Sequence, residues 1–118
     1  MQKKILIIED YLDNYLLLKA QLEELPFSIS YAENGIEALK ILESESFDLY
    51  LVDIQMPELN GYEFLKIIKD RNDSTPAIAQ TAHAFEADKE KCLAAGFDNY
   101  ISKPIDQKLL IEMINNLT

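Results

Sequence analysis

Short apolar runs alternate with amphipathic stretches along the whole chain. The apolar runs predict strands at Lys4–Ile8, Phe27–Tyr31, Asp48–Val52, Pro76–Gln80 and Asn99–Ile101. Helical periodicity between them predicts helices at Leu12–Leu25, from Asn34 to about Ser44, from Asn60 to about Asp70, at Ala84–Ala95 and from Asp106 through Leu117. Strands that alternate with helices predict an α/β fold of (βα)5 type, in which helices cover both faces of a doubly wound parallel sheet.

Capping signals mark several of the predicted helix ends. Asn34 stands three residues before Glu37, and Asn60 stands three residues before Glu63, which is the spacing of a capping box. Gly96 follows the fourth helix at the position where a glycine commonly ends a helix. These signals support the helix assignments independently of the apolar pattern.

Length and composition predict one domain over residues 1–118, because 118 residues with 48% apolar content can build a single core. A single cysteine, Cys92, excludes an intrachain disulfide. The first apolar run, Ile5–Ile8, ends at an acidic pair and is too short for a signal peptide or a membrane span. We therefore expect a cytoplasmic protein without membrane association.

The formal net charge is −10, and the 11 basic residues are scattered along the chain. Binding of nucleic acid requires clustered lysine and arginine, so we expect no direct contact with DNA or RNA. The acidity favours cations or a basic partner surface instead.

Polar side chains follow four of the five predicted strands. Glu9 and Asp10 follow the first strand, Asp53 the third, Thr81 the fourth and Lys103 the fifth. In open α/β sheets the site lies beyond the carboxyl ends of the strands, and neighbouring strands are about 4.8 Å apart. We therefore expect three carboxylates to converge and to repel one another unless they find a cation, for which Mg²⁺ with its preference for oxygen ligands is suited.

This arrangement also suits phosphoryl transfer. Asp53 can attack as a carboxylate nucleophile and form an aspartyl phosphate, while Lys103 supplies positive charge and Thr81 a hydroxyl group. Each residue alone has a simpler explanation: Asp10 as an N-cap, Asp53 as a turn residue, Lys103 as a solvated loop charge. Their joint placement at successive strand ends favours the functional interpretation.

The chain resembles the receiver domain of two-component response regulators over essentially its whole length. The matching segments are Ile7-Ile8-Glu9-Asp10, Leu51-Val52-Asp53-Ile54-Gln55-Met56-Pro57-Glu58-Leu59-Asn60-Gly61, Gln80-Thr81-Ala82-His83-Ala84 and Gly96-Phe97-Asp98-Asn99-Tyr100-Ile101-Ser102-Lys103-Pro104. The resemblance implies a flavodoxin-like fold with strand order 2-1-3-4-5.

The resemblance also assigns roles to the site residues. It implies that Asp53 is the phosphoacceptor, that Asp10 binds Mg²⁺ directly, that Glu9 acts through water, and that the backbone carbonyl of Gln55 is a further ligand. Mn²⁺ is expected to substitute for Mg²⁺.

For the remaining motif residues, it implies that Thr81 is the switch hydroxyl, Tyr100 the switch aromatic and Lys103 the lysine that contacts the phosphoryl group. It further implies a cis peptide bond before Pro104.

The implied function is that of a phosphorylation-dependent switch. The phosphodonor would be a histidine kinase or a histidine phosphotransfer domain, and a downstream protein would bind the face formed by helix 4, strand 5 and helix 5. Apart from its own phosphorylation and dephosphorylation, we expect no enzyme activity. The residues of the third and fourth segments favour the hybrid-kinase or phosphorelay branch of the family. The chain would then be either a separate regulator or part of a larger protein.

The acidic pair departs from the usual motif of the family, and two further positions are expected to affect the lifetime of the phosphoryl group. Many relatives carry Asp-Asp where this chain has Glu9-Asp10, which keeps the charge but lengthens one side chain. Gln55 and His83 would flank the path of an attacking water and tune the lifetime of the phosphoryl group. For His83, the only histidine, we favour a bystander role over that of a phosphohistidine or metal ligand.

The first helix carries two apolar stripes. Tyr15, Leu18, Leu22 and Leu25 form the predicted core face, and Leu12, Leu16 and Ala20 form a second stripe. The second stripe is either part of a broad core face or a docking surface for a phosphohistidine-bearing helix.

Three alternative functions differ in what they require. A flavodoxin-like cofactor binder needs a phosphate-binding loop after the first strand, where Glu9 and Asp10 would repel phosphate. An aspartate-nucleophile phosphatase needs a D-x-D-x-T motif, which the chain lacks. A pseudo-receiver that acts only as an interaction module remains the main alternative, although the complete set of acids, threonine and lysine argues against it.

Overall fold

The computed structural model describes residues 2–82 and 86–118. The strands are β1 (Lys3–Ile8), β2 (Phe27–Ala32), β3 (Leu49–Asp53), β4 (Ala77–Thr81) and β5 (Asn99–Ser102). The helices are α1 (Leu12–Leu22), α2 (Gly35–Ile41), α3 (Gly61–Asp70), α4 (Glu86–Ala95) and α5 (Gln107–Leu117). The predicted alternation of strands and helices is confirmed. The predicted start of the fourth helix at Ala84 lies outside the described residues.

The five strands form one parallel sheet in the order β2-β1-β3-β4-β5. This confirms the order 2-1-3-4-5 that the resemblance implies, in which β2 is an edge strand. The register pairs Ile8 with Val52 and Thr81 with Ser102, so the carboxyl ends of β1, β3, β4 and β5 lie along one edge of the sheet.

Two apolar clusters sandwich the sheet. One cluster joins alternate strand residues such as Val52 to α2, α3 and α4, with Phe64 and Leu65 fully buried at its centre. The other joins the intervening strand residues to α1 and α5, through buried side chains such as Leu18 and Leu110. Side chains of a strand alternate between the two faces of the sheet. A strand that is apolar along nearly its whole length therefore contributes side chains to both clusters.

The predicted caps hold the helix ends. Asn60 and Glu63 form a complete capping box, with each side chain accepting the other residue's backbone N–H. At α2 one of the two capping-box hydrogen bonds is present: the Asn34 side chain accepts the Glu37 N–H at 2.8 Å. Gly96 ends α4 with a φ of 111°, a left-handed conformation that glycine adopts without strain.

Two helices end earlier than predicted. α1 ends at Leu22 rather than Leu25, because Pro26 disfavours helical backbone at the residue before it. The N–H of Leu25 instead donates to the carbonyl of Leu22 in a turn, and its side chain still packs on the α1/α5 cluster. α2 ends at Ile41, and Ser44 belongs to the following turn.

Within residues 2–82 and 86–118, none of the helices has the length and apolar character needed to span a membrane.

Candidate metal centre

Three carboxylates meet at the carboxyl edge of the sheet. Glu9 directly follows β1 and Asp53 ends β3, which lies next to β1. One carboxylate oxygen from each of Glu9, Asp10 and Asp53 lies within 4.8 Å of the other two. Glu9 is fully buried and Asp53 is 4% exposed, whereas Asp10 is exposed. The predicted convergence is therefore confirmed.

Asp10 does not cap α1. The N-cap residue is Tyr11, and its side chain makes no capping hydrogen bond. The carboxylate of Asp10 belongs to the acidic cluster, so the interpretation of Asp10 as a simple N-cap is wrong.

Lys103 lies inside the acidic cluster. Its Nζ is 3.3 Å from Glu9 Oε2 and 3.3 Å from Asp53 Oδ2, and its side chain is only 21% exposed. The backbone N–H of Lys103 donates to the carbonyl of Thr81 at 2.8 Å, and the peptide bond to Pro104 is cis, as the resemblance implies. The alternative of a solvated loop charge is wrong, because the ammonium group balances part of a buried negative charge.

The cluster perturbs the ionisation of its members. Burial raises the pKa of Asp53 to about 6; the Glu9 carboxylate adds to this increase, and Lys103 and the N–H of Gln55 oppose it. Partial desolvation and the nearby Asp53 also raise the pKa of Asp10 above its ordinary value. A bound cation would favour the charged forms of both groups.

The donor set fits a hard divalent cation. Three carboxylates face one ammonium group, which leaves an excess of negative charge. Glu9 Oε2 is buried and accepts no hydrogen bond within residues 2–82 and 86–118; Lys103 is its ion-pair partner. Oxygen ligands in excess of local positive charge are the environment that Mg²⁺ prefers in proteins.

The loop after β3 fixes the position of Asp53. The N–H of Gln55 donates to Asp53 Oδ1 at 3.0 Å, and the N–H of Gly61 donates to the carbonyl of Ile54 at 3.1 Å. A β-carbon at Gly61 would lie 2.7 Å from the carbonyl oxygen of Asp53, so only glycine permits this close approach.

Tyr31 supports the acidic pair from the neighbouring strand. Its hydroxyl donates to the carbonyl of Glu9 at 2.9 Å, and its ring stacks on Tyr15 with centroids 3.9 Å apart. Tyr31 is a site residue that the sequence pattern did not predict. Its position near the end of the strand that pairs with β1 was the available signal.

The other predicted site residues lie nearby. Thr81 is buried at the end of β4, Gln55 is exposed after β3, and Tyr100 is half-buried in β5 with Lys89 Nζ 5.6 Å from its ring centre. The switch roles of Thr81 and Tyr100 and the ligand role of the Gln55 carbonyl stay predictions. His83 lies outside the described residues.

The second stripe of α1 faces solvent. Leu12 and Leu16 are 54% and 49% exposed, and Ala20 is exposed as well. The interpretation as a broad core face is therefore wrong for this stripe. Leu17, which lies outside the predicted stripe, is also 49% exposed. Leu12, Leu16, Leu17 and Ala20 are called the α1 patch below.

Comparison with known proteins agrees with this geometry. Residues 5–115 match the response regulator receiver domain family. The chain belongs to this family. It is therefore a receiver domain of two-component or phosphorelay signalling, which decides against the flavodoxin-like cofactor binder and the aspartate-nucleophile phosphatase.

Two similar relatives differ greatly in length. The chain is 42% identical to the hybrid signal transduction histidine kinase I of Dictyostelium discoideum, with 96% of this chain and 7% of that protein covered. It is 36% identical to an uncharacterized 14.6 kDa protein of Leptolyngbya boryana, with 96% of this chain and 88% of that protein covered. The receiver domain thus spans a small part of the first relative and most of the second.

Three solved structures share the fold closely. The receiver domain of a Francisella response regulator is 31% identical, with a TM-score of 0.93 and coverage of 98% and 96% of the two chains. A Pseudomonas aeruginosa sensor kinase receiver domain, solved with magnesium coordinated in its active-site cleft, is 30% identical, with a TM-score of 0.89 and coverage of 99% and 98%. The receiver domain in the Saccharomyces cerevisiae Ypd1–Ssk1 complex is 29% identical, with a TM-score of 0.90 and coverage of 98% and 88%.

Proposed function

We propose that this receiver domain accepts a phosphoryl group on Asp53 from a phosphohistidine of a partner protein. A carboxylate oxygen of Asp53 attacks the phosphorus atom, the P–N bond breaks, and the imidazole nitrogen keeps the electron pair and takes up a proton. The product is an aspartyl phosphate. The observation that carries this proposal is the position of Asp53 between two further carboxylates and the ammonium group of Lys103, in a buried cleft.

Mg²⁺ would be held by Glu9, Asp10, Asp53 and the backbone carbonyl of Gln55, and Mn²⁺ would substitute for it. When bound, the ion supplies positive charge that offsets the charge of the carboxylates and of the incoming phosphoryl group. The related Pseudomonas domain with magnesium in its cleft supports this assignment.

Lys103 and Thr81 act on the phosphoryl group. Lys103 already lies 3.3 Å from Asp53 Oδ2, so a small movement lets its ammonium group contact a phosphoryl oxygen. Thr81 donates its hydroxyl to another phosphoryl oxygen. The hydrogen bond from the backbone N–H of Lys103 to the carbonyl of Thr81 couples the positions of these two residues.

The output is a population shift between two conformations. Thr81 moves toward the phosphoryl group, Tyr100 turns inward, and the face formed by α4, β5 and α5 changes its affinity for a downstream protein. Leu93 on α4 and Leu109 on α5, which are 43% and 42% exposed, offer apolar contacts for such a partner. The phosphoryl group drives the shift only through contacts that differ between the two conformations.

The phosphodonor docks on the α1 patch. An amphipathic helix that carries the phosphohistidine would cover Leu12 and Leu16 and bring its histidine to Asp53. The solved complex of the histidine phosphotransfer protein Ypd1 with a related receiver domain supports a partner of this class, as do the hybrid kinases among the relatives.

Docking is tested by Leu16→Glu, with the similarly exposed Leu109→Glu as a control. We expect Leu16→Glu to slow phosphotransfer from a histidine phosphotransfer protein but not from a small-molecule phosphodonor. Equal transfer rates from the protein donor for both variants would refute docking on this patch.

The acceptor reaction is tested by intact mass after incubation with acetyl phosphate, with Mg²⁺ or with EDTA, for the wild type and Asp53→Asn. We expect one added phosphoryl group that requires both Mg²⁺ and Asp53. If a folded wild type with Mg²⁺ gains no phosphoryl group, the pseudo-receiver alternative is correct and the domain acts as an interaction module.

A further inference from the structure

Helix α4 is anchored by little apolar packing. Of its residues 87–95, only Cys92 is buried. The neighbouring helix α3 buries three large side chains, Phe64, Leu65 and Ile68. Elements that bury few apolar side chains shift or open at a low cost in free energy. The position of α4 therefore depends on contacts outside the apolar core.

Two lysines of α4 lie over aromatic rings. Lys89 Nζ is 5.6 Å from the ring centre of Tyr100 on β5, and Lys91 Nζ is 4.8 Å from the ring centre of Tyr62 on α3. An ammonium group within about 6 Å of a ring centre is attracted by the negative face of the ring. These two contacts join α4 to the strand and to the helix beside it.

The two rings differ in what else holds them. Tyr62 packs edge-to-face on Phe97 with ring centres 6.1 Å apart, and its hydroxyl lies 3.6 Å from the Sγ atom of Cys92. Among the residues that the structure describes, no aromatic ring packs on Tyr100, which is half-buried. The orientation of the Tyr100 ring therefore depends more on its lysine than the orientation of Tyr62 does.

The register of the sheet places Tyr100 on the same face as Thr81. Tyr100 pairs with Ala79 on β4, and both pack in the cluster formed with α2, α3 and α4. Thr81 follows Ala79 by two residues, so its side chain points to that face as well.

A turn of the ring toward Thr81 would break the contact with Lys89. Thr81 is buried, so the ring would leave the side that water reaches. Burying an ammonium group without a paired charge is costly, so the head group of Lys89 stays in water and cannot follow the ring.

The contact belongs to the arrangement that precedes phosphoryl transfer. Lys103 Nζ lies 3.3 Å from a carboxylate oxygen of Asp53 itself, rather than on a phosphoryl group. In this arrangement the Tyr100 ring lies beneath Lys89.

We propose that Lys89 is a positioning residue that holds Tyr100 in the conformation that precedes phosphorylation. This inference rests on the proposed function, in which Tyr100 turns inward when Asp53 is phosphorylated. Because the inward turn breaks the contact, the ammonium group of Lys89 opposes activation. Its removal raises the fraction of molecules in the other conformation and so the apparent affinity for a phosphoryl group.

The contact is tested by nuclear magnetic resonance on the full chain without a phosphodonor. Protons above an aromatic ring are shifted upfield, so we expect the ε-protons of Lys89 to move downfield in Tyr100→Leu. The ε-protons of Lys91, which lie over Tyr62, should stay where they are. Equal Lys89 shifts in the two proteins would overturn the inference. If Tyr100→Leu does not fold, Overhauser contacts between Lys89 and the Tyr100 ring in the wild type decide the same question.

The effect on the switch is tested by equilibrium binding of beryllofluoride, a tetrahedral mimic of a phosphoryl group on a carboxylate, in the presence of Mg²⁺. We expect Lys89→Met to bind it about two- to fivefold more tightly than the wild type, which corresponds to the loss of one exposed cation–π contact. Lys89→Arg should bind like the wild type, because a guanidinium group also binds the face of a ring. Lys91→Met is the matched control, since it removes the same charge from the same helix, and it should bind like the wild type.

The inference and the proposed function can fail separately. Equal affinities of Lys89→Met and Lys91→Met, or weaker binding by Lys89→Met, would overturn the inference and leave the proposed function intact. A folded wild type that binds no beryllofluoride and gains no phosphoryl group on Asp53 would remove the proposed function and, with it, the role of Lys89 in the switch.

Discussion

Replacement of Asp53 by asparagine should stabilise the protein in the absence of metal, although it removes the proposed phosphoacceptor. Asp53 is 4% exposed and shares its cleft with the fully buried Glu9. The introduced asparagine side chain would have nearly the same volume and would still accept the N–H of Gln55, but it would carry no charge. The substitution therefore removes a repulsive carboxylate with little change in packing.

The magnitude follows from the pKa of Asp53, which burial and Glu9 raise from 3.8 to about 6 despite the opposing effect of Lys103. A difference of one in pKa corresponds to about 1.36 kcal/mol. At pH 7.5, above both values, the ionised carboxylate destabilises the folded state by about 3 kcal/mol. Asp53→Asn should raise the free energy of unfolding by about 2–3 kcal/mol.

The same pKa determines how the effect changes with pH. The folded wild type binds the Asp53 proton more readily than the unfolded chain, so it gains stability as the pH falls from above 6 toward 4. At pH 5 about half of the destabilisation is already relieved, and the difference between variant and wild type should shrink to about 1.5 kcal/mol. Saturating Mg²⁺ should also reduce the difference, because it binds the wild type with one more carboxylate ligand.

The assay is denaturant unfolding followed by far-ultraviolet circular dichroism, in EDTA at pH 7.5 and pH 5 and in Mg²⁺ at pH 7.5. Glu112→Gln on the exposed side of α5 is the control, with an expected effect within about 0.5 kcal/mol. An Asp53→Asn variant that is no more stable than the wild type in EDTA at pH 7.5 would refute the reasoning, and so would a difference that does not shrink at pH 5.

Three further substitutions test other parts of the structure. Asn60→Ala removes the capping box of α3 and should lower the free energy of unfolding by about 1 kcal/mol in denaturant melts; no loss would mean that the box is not stabilising. Tyr31→Phe removes the hydrogen bond to the Glu9 carbonyl and should weaken Mg²⁺ binding about fivefold by calorimetry, whereas an unchanged dissociation constant would exclude a positioning role. Tyr50→Phe removes the hydrogen bond from a buried hydroxyl to the Asp73 carboxylate and should destabilise by about 1.5–3 kcal/mol at pH 7. Burial acts to raise the pKa of Asp73, but the hydrogen bonds from Tyr50 and Thr75 outweigh it and lower this pKa. The Tyr50 effect should therefore begin to fade as the pH falls below 3.8 and be lost below the lowered pKa of Asp73; an effect that is undiminished at pH 3 would contradict this.

Periodicity and capping signals predicted every strand and helix of the described chain. The prediction succeeded because each element is encoded locally: apolar runs make buried strands, and Asn60 with Glu63 starts α3 through bonds that span three residues. It was least accurate where local signals compete, as at Leu25, whose apolar spacing continues the pattern of α1 while Pro26 ends the helix.

The acidic cluster was also predictable from the sequence, because a parallel sheet brings the residues that follow its strands to one edge. Glu9, Asp10 and Asp53 lie together for this reason. The sequence alone therefore determined the elements, the position of the site and, through its motifs, the family.

Only the tertiary structure decided how individual side chains are used. It placed Lys103 between Glu9 and Asp53, left Leu16 in solvent and tied Tyr31 to the acidic pair. These outcomes depend on which elements become neighbours and on which face of each element they cover. Spacing along the chain carries no such information, because the contacts join residues that are far apart in sequence.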